Sequence, residues 1–264
     1  MISNEAFEKI SSLVKTHSGI NLSPTKKQLV VGRLSKRLRI LNLPDYETYH
    51  NECLNSPTEL QCMINTITTN ETSFFREAHH FDFMRKSIIP KITKSFRVWS
   101  AAASIGAEAY SIAMDLDDVL TPLLCDWEVV ATDINTEVLE QAKTGLYPIR
   151  FTDQLNEKYL KKYCLKGIGS QDGQFLIDDY LREKVKFKHA NLMSPMTPEH
   201  GQFDLIFLRN MLIYFSTEEK IKIVQNVLKH LKPNGYIFIG HAESIEQSIF
   251  NVKQIKPTIY KKGL

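Results

Sequence analysis

A turn of small residues precedes a predicted helix near the middle of the chain. It reads Ser-Ala-Ala-Ala-Ser-Ile-Gly-Ala-Glu from Ser100 to Glu108 and follows a strand-like run. Small side chains let a ligand approach the backbone closely, and the first amides of a helix favour a carboxylate or another anion. The turn is therefore a candidate cofactor site, although an ordinary tight connection between a strand and a helix would have the same composition.

An acid ends the next strand-like run. Asp133 follows the small-residue turn by about 25 positions, one strand and one helix later, which is close to the spacing of nucleotide-binding units. In sheets that bind nucleoside cofactors, an acid at this strand end accepts hydrogen bonds from the ribose hydroxyls. The spacing predicts this role for Asp133. The alternative is that Asp133 caps a helix beginning near Ile134.

More polar side chains follow a later strand-like run. Arg209, Asn210 and Tyr214 come directly after the apolar segment 203–208. In open parallel sheets, ligands bind at the carboxyl edge, so these residues are candidates for the same pocket. Arg209 and Tyr214 could instead be structural, because buried polar groups need hydrogen-bond partners in any case.

A parallel sheet is needed to bring these groups together, and the sequence after Pro90 predicts one. Apolar runs alternate there with amphipathic stretches, as in strands joined by crossover helices. The right-handed crossovers then give an α/β fold with a Rossmann-like sheet. We predict strands at 97–102, 127–132, 185–189, 203–208 and 236–240, an edge strand at 252–261, and helices at 107–120, 137–144, 154–163 and 218–231.

The first part of the chain, residues 1–76, is predicted to be a small all-helical domain, and residues 77–264 the Rossmann-like domain. Ser3 or Asn4 can cap the first helix, and Ser23-Pro24 begins a second that ends near Ile40. Between Leu22 and Pro44 there are six cations and no acid, so this region is expected to meet an acidic partner. On the second helix, one stripe beside the apolar face carries Lys26, Arg33, Lys36 and Arg37.

Residues 164–184 do not fit the alternation of strands and helices. They contain Gly167, Gly169 and Gly173, the strand-like run 175–177 and a return at 180–184. This pattern predicts a small antiparallel β subdomain inserted in the larger domain.

The composition excludes several classes of protein. With 43% hydrophobic and 24% charged residues, the chain is neither disordered nor fibrous. No signal peptide and no run of about 18 apolar residues is present, so a cytoplasmic protein without membrane insertion is expected. The four cysteines form no Cys-x-x-Cys pair and the histidines are dispersed, so neither disulfides nor a metal are expected.

Several motifs together resemble the bacterial chemotaxis protein-glutamate methyltransferases, the CheR family. The resemblance covers nearly the whole chain, and the motifs occur in the family's order. They are the segments 69–76 (Thr-Asn-Glu-Thr-Ser-Phe-Phe-Arg), 99–104 with Glu108 and Tyr110-Ser111, 131–134, 209–215 (Arg-Asn-Met-Leu-Ile-Tyr-Phe), 231–235 and 240–244 (Gly-His-Ala-Glu-Ser). At the first turn the family commonly reads Thr-Gly-Glu-Glu-Pro-Tyr. This chain has Ile105, Ala107 and Ala109 there and keeps the acid Glu108.

The resemblance implies that S-adenosylmethionine is the cofactor and gives each motif a role. Around its methionine part and the catalytic mouth it places Asn70, Thr72 and Arg76. Glu108 and Asp133 would hold the amino-acid and ribose parts, and Asn191-Leu192 would flank the adenine. Arg209, Asn210 and Tyr214 would complete the pocket. A carboxylate at Glu108 would repel the methionyl carboxylate, so it is expected to accept from the ammonium or a ribose hydroxyl.

The resemblance also implies the reaction and the partners. The methyl group would pass to glutamate side chains of chemoreceptors, with Arg76 holding the carboxylate and Tyr214 orienting it. The stripe on the second helix would dock acidic receptor helices, and the β subdomain could bind a C-terminal receptor peptide. A monomer that does not bind nucleic acid is expected.

Two other functions remain open at this level. The basic helix would also suit a nucleic-acid methyltransferase, but enzymes that methylate base amino groups usually carry Asp/Asn-Pro-Pro-Tyr/Phe where this chain has Arg209–Leu212; salt-dependent retention on DNA or RNA would reveal one. The altered first turn would suit a relative that binds the cofactor without turnover. A methyl-transfer assay separates that relative from an enzyme.

Overall fold

The computed structural model describes residues 2–195 and 201–263. Its first part is all-helical, as predicted. Ser3 begins the first helix by accepting a hydrogen bond from the Ala6 amide, and Gly19 ends it with a φ of 77°. The helices are α1 (Asn4–Ser18), α2 (Lys27–Ile40), α3 (Tyr46–Asn55) and α4 (Pro57–Ile67).

The second part contains a seven-stranded sheet in the order β6-β2-β1-β7-β8-β10-β9. The first five strands in this order are parallel, whereas β10 runs antiparallel to both β8 and β9. The predicted α/β fold with a Rossmann-like sheet is confirmed. Its strands are β1 (Ser95–Ala101), β2 (Asp126–Asp133), β6 (Val185–His189), β7 (Phe203–Leu208), β8 (Leu231–Ile239), β9 (Val252–Lys256) and β10 (Ile259–Lys262).

Helices cover both faces of this sheet and form two cores. One core packs Tyr110 and Met114 against Phe207 and Phe238, and the other packs Ile223 against Trp99. Burial on both faces explains why the central strands read as continuous apolar runs. The helices of this part are α5 (His79–Phe83), α6 (Ala107–Leu120), α7 (Thr136–Thr144), α8 (Glu157–Tyr163), α9 (Asp179–Glu183) and α10 (Thr217–Leu228).

Several element boundaries differ from the prediction, most of them by one or two residues, and the largest differences are in the second half of the chain. Helix α8 starts at Glu157 and not at 154, because Asn156 caps it by accepting from the Tyr159 amide. Helix α10 ends at Leu228, and the chain re-enters the sheet as early as Leu231. The last segment is not one edge strand but a hairpin, in which β10 pairs with β8 and β9 forms the edge.

The predicted small antiparallel subdomain is present, but only some of its strands and helices were predicted correctly. It has the order β3-β5-β4, with β3 (Leu146–Pro148), β4 (Cys164–Lys166) and β5 (Gln174–Ile177). Strand β3 lies outside the predicted range 164–184. The predicted return at 180–184 is helix α9, because the Asp178 side chain accepts from the Tyr180 amide and caps a helical turn whose Leu181 is buried.

No helix within residues 2–195 and 201–263 combines the length and apolar character needed to span a bilayer. All four cysteines are free thiols, as the sequence predicted.

Candidate active site

The sheet creates a crevice where its strand order reverses. Strands β1 and β7 are neighbours, and the chain winds outward from them in opposite directions, so their carboxyl ends open onto a cleft. This cleft has a volume of about 960 Å³ including its open mouth. It brings together most of the predicted site residues, namely Asn70, Thr72, Arg76, Glu108, Asp133, Arg209, Asn210 and Tyr214.

The helical domain supplies the other wall of the cleft. Ile20, Leu22, Leu29 and Ile67 line it together with residues 68–72 of the connection between the domains. The site is therefore formed by both parts of the chain.

Asp133 joins the end of β2 to the small-residue turn. Its Oδ2 accepts from the Ser104 amide at 2.8 Å, and its Oδ1 accepts from the Asn135 amide at 2.9 Å. Burial raises the pKa of Asp133, and these amides offset part of the effect. The helix cap of α7 is Asn135, which accepts from the Glu137 and Val138 amides. The structure thus gives the capping role to Asn135 and leaves Asp133 facing the cleft.

A buried arginine organises the floor of the cleft. The side chain of Arg209 is 2% exposed, and its Nη1 donates to Glu108 at 2.9 Å. Its Nη2 lies 3.2 Å from Glu77 and donates to the Arg76 carbonyl. Arg209 thus lies between two carboxylates and fixes the start of the loop that carries Tyr214.

Glu108 points into the cleft from the first turn of α6. It accepts from the Ser100 hydroxyl at 2.6 Å in addition to Arg209. Burial raises the pKa of Glu108, and the Arg209 charge and the Ser100 hydrogen bond offset part of this rise. A bound ammonium group would favour the ionised form.

Residues 69–76 form a strap over the cleft. The Ser104 hydroxyl donates to the Asn70 carbonyl at 2.7 Å, and the Phe75 amide donates to the Ser111 hydroxyl at 2.9 Å. Arg76 lies at the end of the strap, where its Nη1 donates to the Glu71 carbonyl at 3.1 Å. These bonds hold Asn70 and Arg76 at the cleft.

Asn191 and Leu192 lie in a smaller apolar hollow beside the main cleft. The two spaces share Ala102, Asp133 and Ile134, and the hollow continues past Met193. The Asn191 amide group is occupied, because it donates to the His17 carbonyl and accepts from the Met193 amide. The position of the hollow next to Asp133 suits an adenine ring.

The four residues of the basic stripe have different surroundings. Lys26 lies at the cleft with its Nζ 5.5 Å from the centre of the Tyr214 ring, and Lys36 is exposed. Arg33 donates to the carbonyls of Ile67 and Thr68 and to the Thr69 hydroxyl. Arg37 forms a bidentate pair with buried Glu59.

Sequence reasoning assigned no role to two acids of the site. Glu77 accepts from the Asn210 side chain at 3.1 Å and pairs with Arg209. Although burial raises the pKa of Glu77, the Arg209 charge and the Asn210 and His241 hydrogen bonds outweigh it and lower the pKa to about 2. Glu243 accepts from backbone amides of the Arg209 loop. Glu77 directly follows the motif at 69–76, and Glu243 lies within the motif at 240–244. Their places in these motifs are the only sequence feature that could have pointed to the two acids.

One group of possible metal ligands lies near the site. Side-chain atoms of Glu77, His79 and His80 come within 4.8 Å of one another. The guanidinium of Arg209 contacts the same Glu77 carboxylate. A cation at this point would be repelled by that charge, so the absence of a metal stays our prediction.

The residues of the cleft fit S-adenosylmethionine. Asp133 is suited to the ribose, the hollow at Leu192 to the adenine, and Glu108 to the methionyl ammonium. The half-buried carboxylates Glu77 and Glu108 outnumber the Arg209 guanidinium between them, which suits a cationic ligand.

Comparisons with known proteins agree with this geometry. The all-alpha domain of the CheR methyltransferases matches residues 5–68, and their SAM binding domain matches residues 70–260. The chemotaxis protein methyltransferase of Escherichia coli (strain K12) is 40% identical over 92% of this chain and 85% of its own length. Those of Salmonella typhimurium (strain LT2) and Borreliella burgdorferi (strain B31) are 37% and 36% identical, cover 98% and 99% of this chain, and are matched over 90% and 95% of their lengths. The chain belongs to the CheR family of S-adenosylmethionine-dependent methyltransferases.

Proposed function

We propose that this chain transfers a methyl group from S-adenosylmethionine to glutamate side chains of chemoreceptors, giving methyl esters that serve adaptation in the cytoplasm. The observation that carries the proposal is the pair Arg76 and Tyr214, which line the same cleft as Glu108 and Asp133 in a chain of this family.

The chain's own residues hold and align the reactants. Asp133 and Glu108 bind the ribose and the ammonium, and Arg209 keeps Glu108 in place. The cofactor supplies a methyl group on a cationic sulfonium when it is bound. Because a glutamate carboxylate is already ionised at neutral pH, it attacks without a general base.

Arg76 and Tyr214 are suited to the incoming carboxylate. The guanidinium offers a charged, planar donor, and the phenol offers a single hydroxyl. Lys26 lies over the Tyr214 ring and adds a second positive charge at the same place. Aligning the two reactants in this way can lower the barrier by about 7–11 kcal/mol.

The stripe Lys26, Arg33, Lys36 and Arg37 supports docking of an acidic receptor helix. Lys26 lines the cleft and Lys36 is exposed on the same helical segment, so positive charge extends outward from the site. Positive charge beside a cleft steers acidic partners toward it. Arg33 and Arg37 contribute to this field while holding α2 to α4 and to the strap.

The β subdomain supports binding of a C-terminal receptor peptide. Strand β4 is an edge of the small sheet. Leu165 within it is 52% exposed, and Ile168 shortly after it is 82% exposed. A peptide would add as a fourth strand through main-chain hydrogen bonds. Arg182 is not needed for this, because its guanidinium pairs with Asp179 and donates to the Thr144 carbonyl next to β3. Such a tether raises the local concentration of the receptor.

The test is methyl transfer to receptor-containing membranes, with the product measured as base-labile esters. We expect the wild-type chain to esterify the receptor, and Tyr214→Phe and Arg76→Ala to lower kcat at least tenfold. Tyr236→Phe is the matched control, because Tyr236 packs against Phe83 away from the cleft.

Cofactor binding without esterification would contradict the proposal and favour a relative that does not turn over. Methylation of nucleic acid in place of the receptor would favour the nucleic-acid alternative. Chemical shift changes in residues 164–184 on titration with C-terminal receptor peptides would support the tether, and none at millimolar peptide would exclude it.

A further inference from the structure

Glu243 belongs to the motif Gly-His-Ala-Glu-Ser after β8, to which neither the fold nor the proposed reaction assigns a part. Its carboxylate binds the first residue of this segment and also reaches the loop that follows β7. Oε2 accepts from the Asn210 amide at 2.9 Å and from the Gly240 amide at 2.7 Å, and Oε1 accepts from the Leu212 amide at 2.7 Å. One side chain therefore binds three backbone amides from two chain segments.

The contacted loop has a conformation that needs such support. Asn210 has a φ of 57°, in the left-handed region that costs a non-glycine residue free energy. The amides of Asn210 and Leu212, on either side of this strained position, both donate to the Glu243 carboxylate. Charge-assisted hydrogen bonds of this length are about twice as strong as neutral ones, so the carboxylate stabilises the strained turn.

The neighbouring glycine fits the same interpretation. A Cβ added at Gly240 would lie 2.8 Å from both the Asn210 amide nitrogen and a Glu243 carboxylate oxygen. A side chain at this position would push the carboxylate away from the loop. The contact between Glu243 and the loop therefore requires that the backbone at Gly240 lies close to Asn210, which only a residue without a side chain allows.

The loop in question carries functional side chains at both ends. Arg209 precedes Asn210 and is also held by Glu77 and Glu108, so its position is fixed independently. Tyr214 ends the short helical turn Leu212–Tyr214. Its backbone carbonyl accepts from the Asn21 amide at 3.3 Å. The direction in which Tyr214 leaves the loop is therefore set mainly by the turn that Glu243 holds.

We propose that Glu243 is a positioning residue for methyl transfer, which fixes the 210–214 loop so that the Tyr214 hydroxyl meets the substrate carboxylate. Glu243 acts through the backbone and touches neither cofactor nor substrate. The inference rests on the proposed reaction and adds to it a residue that controls alignment.

The test compares Glu243→Gln with Glu246→Gln, a control on the same segment whose side chain is exposed. Gln keeps the size of Glu but can present an acceptor to only one side of the turn. We expect Glu243→Gln to lower kcat by about ten- to a hundredfold, because small misplacements of reacting groups have effects of this size. The receptor KM and the S-adenosylhomocysteine Kd should change less than about threefold, and Glu246→Gln should match wild type.

Hydrogen exchange gives a readout that does not depend on activity. Amides of residues 210–214 should exchange faster in Glu243→Gln, while those of α6 and β2 stay unchanged. An unchanged kcat would overturn the proposal. A rise in Kd that parallels the fall in kcat, together with general loss of protection, would also overturn it, because the residue would then be merely structural. Failure of the wild-type chain to esterify receptors would contradict the proposed function. Unchanged hydrogen exchange of residues 210–214 in Glu243→Gln would contradict the positioning role of Glu243, whatever the reaction.

Discussion

Asp133 has two kinds of partner, and this affects how its loss should be interpreted. One oxygen accepts from the Ser104 amide of the small-residue turn, and the other from the Asn135 amide beyond β2. Each carboxylate oxygen can accept a further hydrogen bond, which leaves capacity for the ribose hydroxyls. The residue therefore shapes the turn in addition to its proposed binding of the ribose.

Replacing Asp133 by Ala should weaken binding of S-adenosylhomocysteine by about 1.5–3 kcal/mol, as is typical of hydrogen bonds to a charged group. Titration calorimetry measures this loss. Asp126→Ala is the matched control, because Asp126 is exposed at the opposite end of the same strand. Equal affinities of Asp133→Ala and wild type would remove Asp133 from the cofactor site.

His80 is a buried base behind the site. Its ring is stacked on Phe238, and its Nε2 is 2.8 Å from the Thr258 hydroxyl. Burial, the Arg209 charge and His79 lower the pKa of His80 to about 3, against the attraction of Glu77. The folded protein therefore keeps this ring neutral, whereas the unfolded chain protonates it near its ordinary pKa of 6.5.

Between pH 6.5 and 3, His80 is protonated in the unfolded state but not in the folded state. The free energy of unfolding therefore falls as the pH falls through this range. The slope from one such group reaches about 1.4 kcal/mol per pH unit. Unfolding by urea at several pH values should show that His80→Gln has a shallower decline over this range than wild type. His17→Gln, at an exposed position, should keep the wild-type slope.

The site residues that sequence reasoning found share one property: each follows a strand or lies in a motif with a known place in this fold. Asp133, Glu108 and Arg209 were predicted in this way. The second carboxylate partner of Arg209, Glu77, was not predicted, because it lies 132 positions earlier in the chain and no local pattern links the two. The same holds for the Asn210 and Leu212 amides that Glu243 binds, which lie 33 and 31 positions earlier in the chain.

Helix α2 combines a structural role with the proposed docking role. Its buried face packs through Val30, Leu34 and Leu38. Arg37 on its flank pairs with Glu59, whose side chain is 7% exposed. Among the residues that the structure describes, the exposed Lys36 and Arg39 of the same helix have no buried acid as a partner. The two kinds of cation can therefore be separated by mutation.

Arg37→Glu should destabilise the chain by about 3–5 kcal/mol, because it leaves Glu59 buried without its partner and adds a like charge. Thermal or urea unfolding measures the loss. Lys36→Glu should leave the free energy of unfolding and cofactor affinity unchanged, yet raise the KM for receptor. If Lys36→Glu methylates receptors as wild type does at low salt, the stripe does not dock them.

The elements that the sequence predicted well each have a recognisable pattern of apolar residues within the element itself. Strands β1, β2, β6 and β7 are compact apolar or alternating runs, and α6 has apolar residues all around because it is buried. Strand β3 has three residues and no alternation, so only its pairing with β5 defines it. The turn between β9 and β10 has a φ of 62° at Thr258. Because this position is not a glycine, nothing in the sequence indicated the turn.

At the scale of the whole molecule, the two domains are joined next to the end of β2, where Asp133 lies. The Asn65 side chain accepts from the Thr136 amide and donates to the Thr136 hydroxyl. The Asn135 side chain donates to the Asn65 carbonyl, and Gln61 donates to the Ile134 carbonyl. Helix α4 is thus attached to the residues directly after Asp133.

Asn65→Ala should weaken cofactor binding although Asn65 does not line the cleft. Loss of its hydrogen bonds frees the turn after Asp133, and an effect of about 1 kcal/mol, or fivefold in Kd, is expected. Calorimetry with S-adenosylhomocysteine measures it. Asn51→Ala, at an exposed position of α3, is the control. An unchanged Kd for Asn65→Ala would show that the contact between the domains does not affect the site.

The strap 69–76 and Lys26 border the same cleft, and this has a consequence for the order of events. If a receptor docks on α2 as we propose, it would cover the mouth of this cleft, through which the nucleoside must leave. We therefore expect the methyl donor to load first and the spent nucleoside to leave after the receptor, so that each encounter adds one ester. The enzyme would then act distributively. Mass spectrometry of a receptor with several sites, at limiting enzyme, should show singly methylated molecules before multiply methylated ones, whereas early accumulation of fully methylated receptor would indicate a processive enzyme.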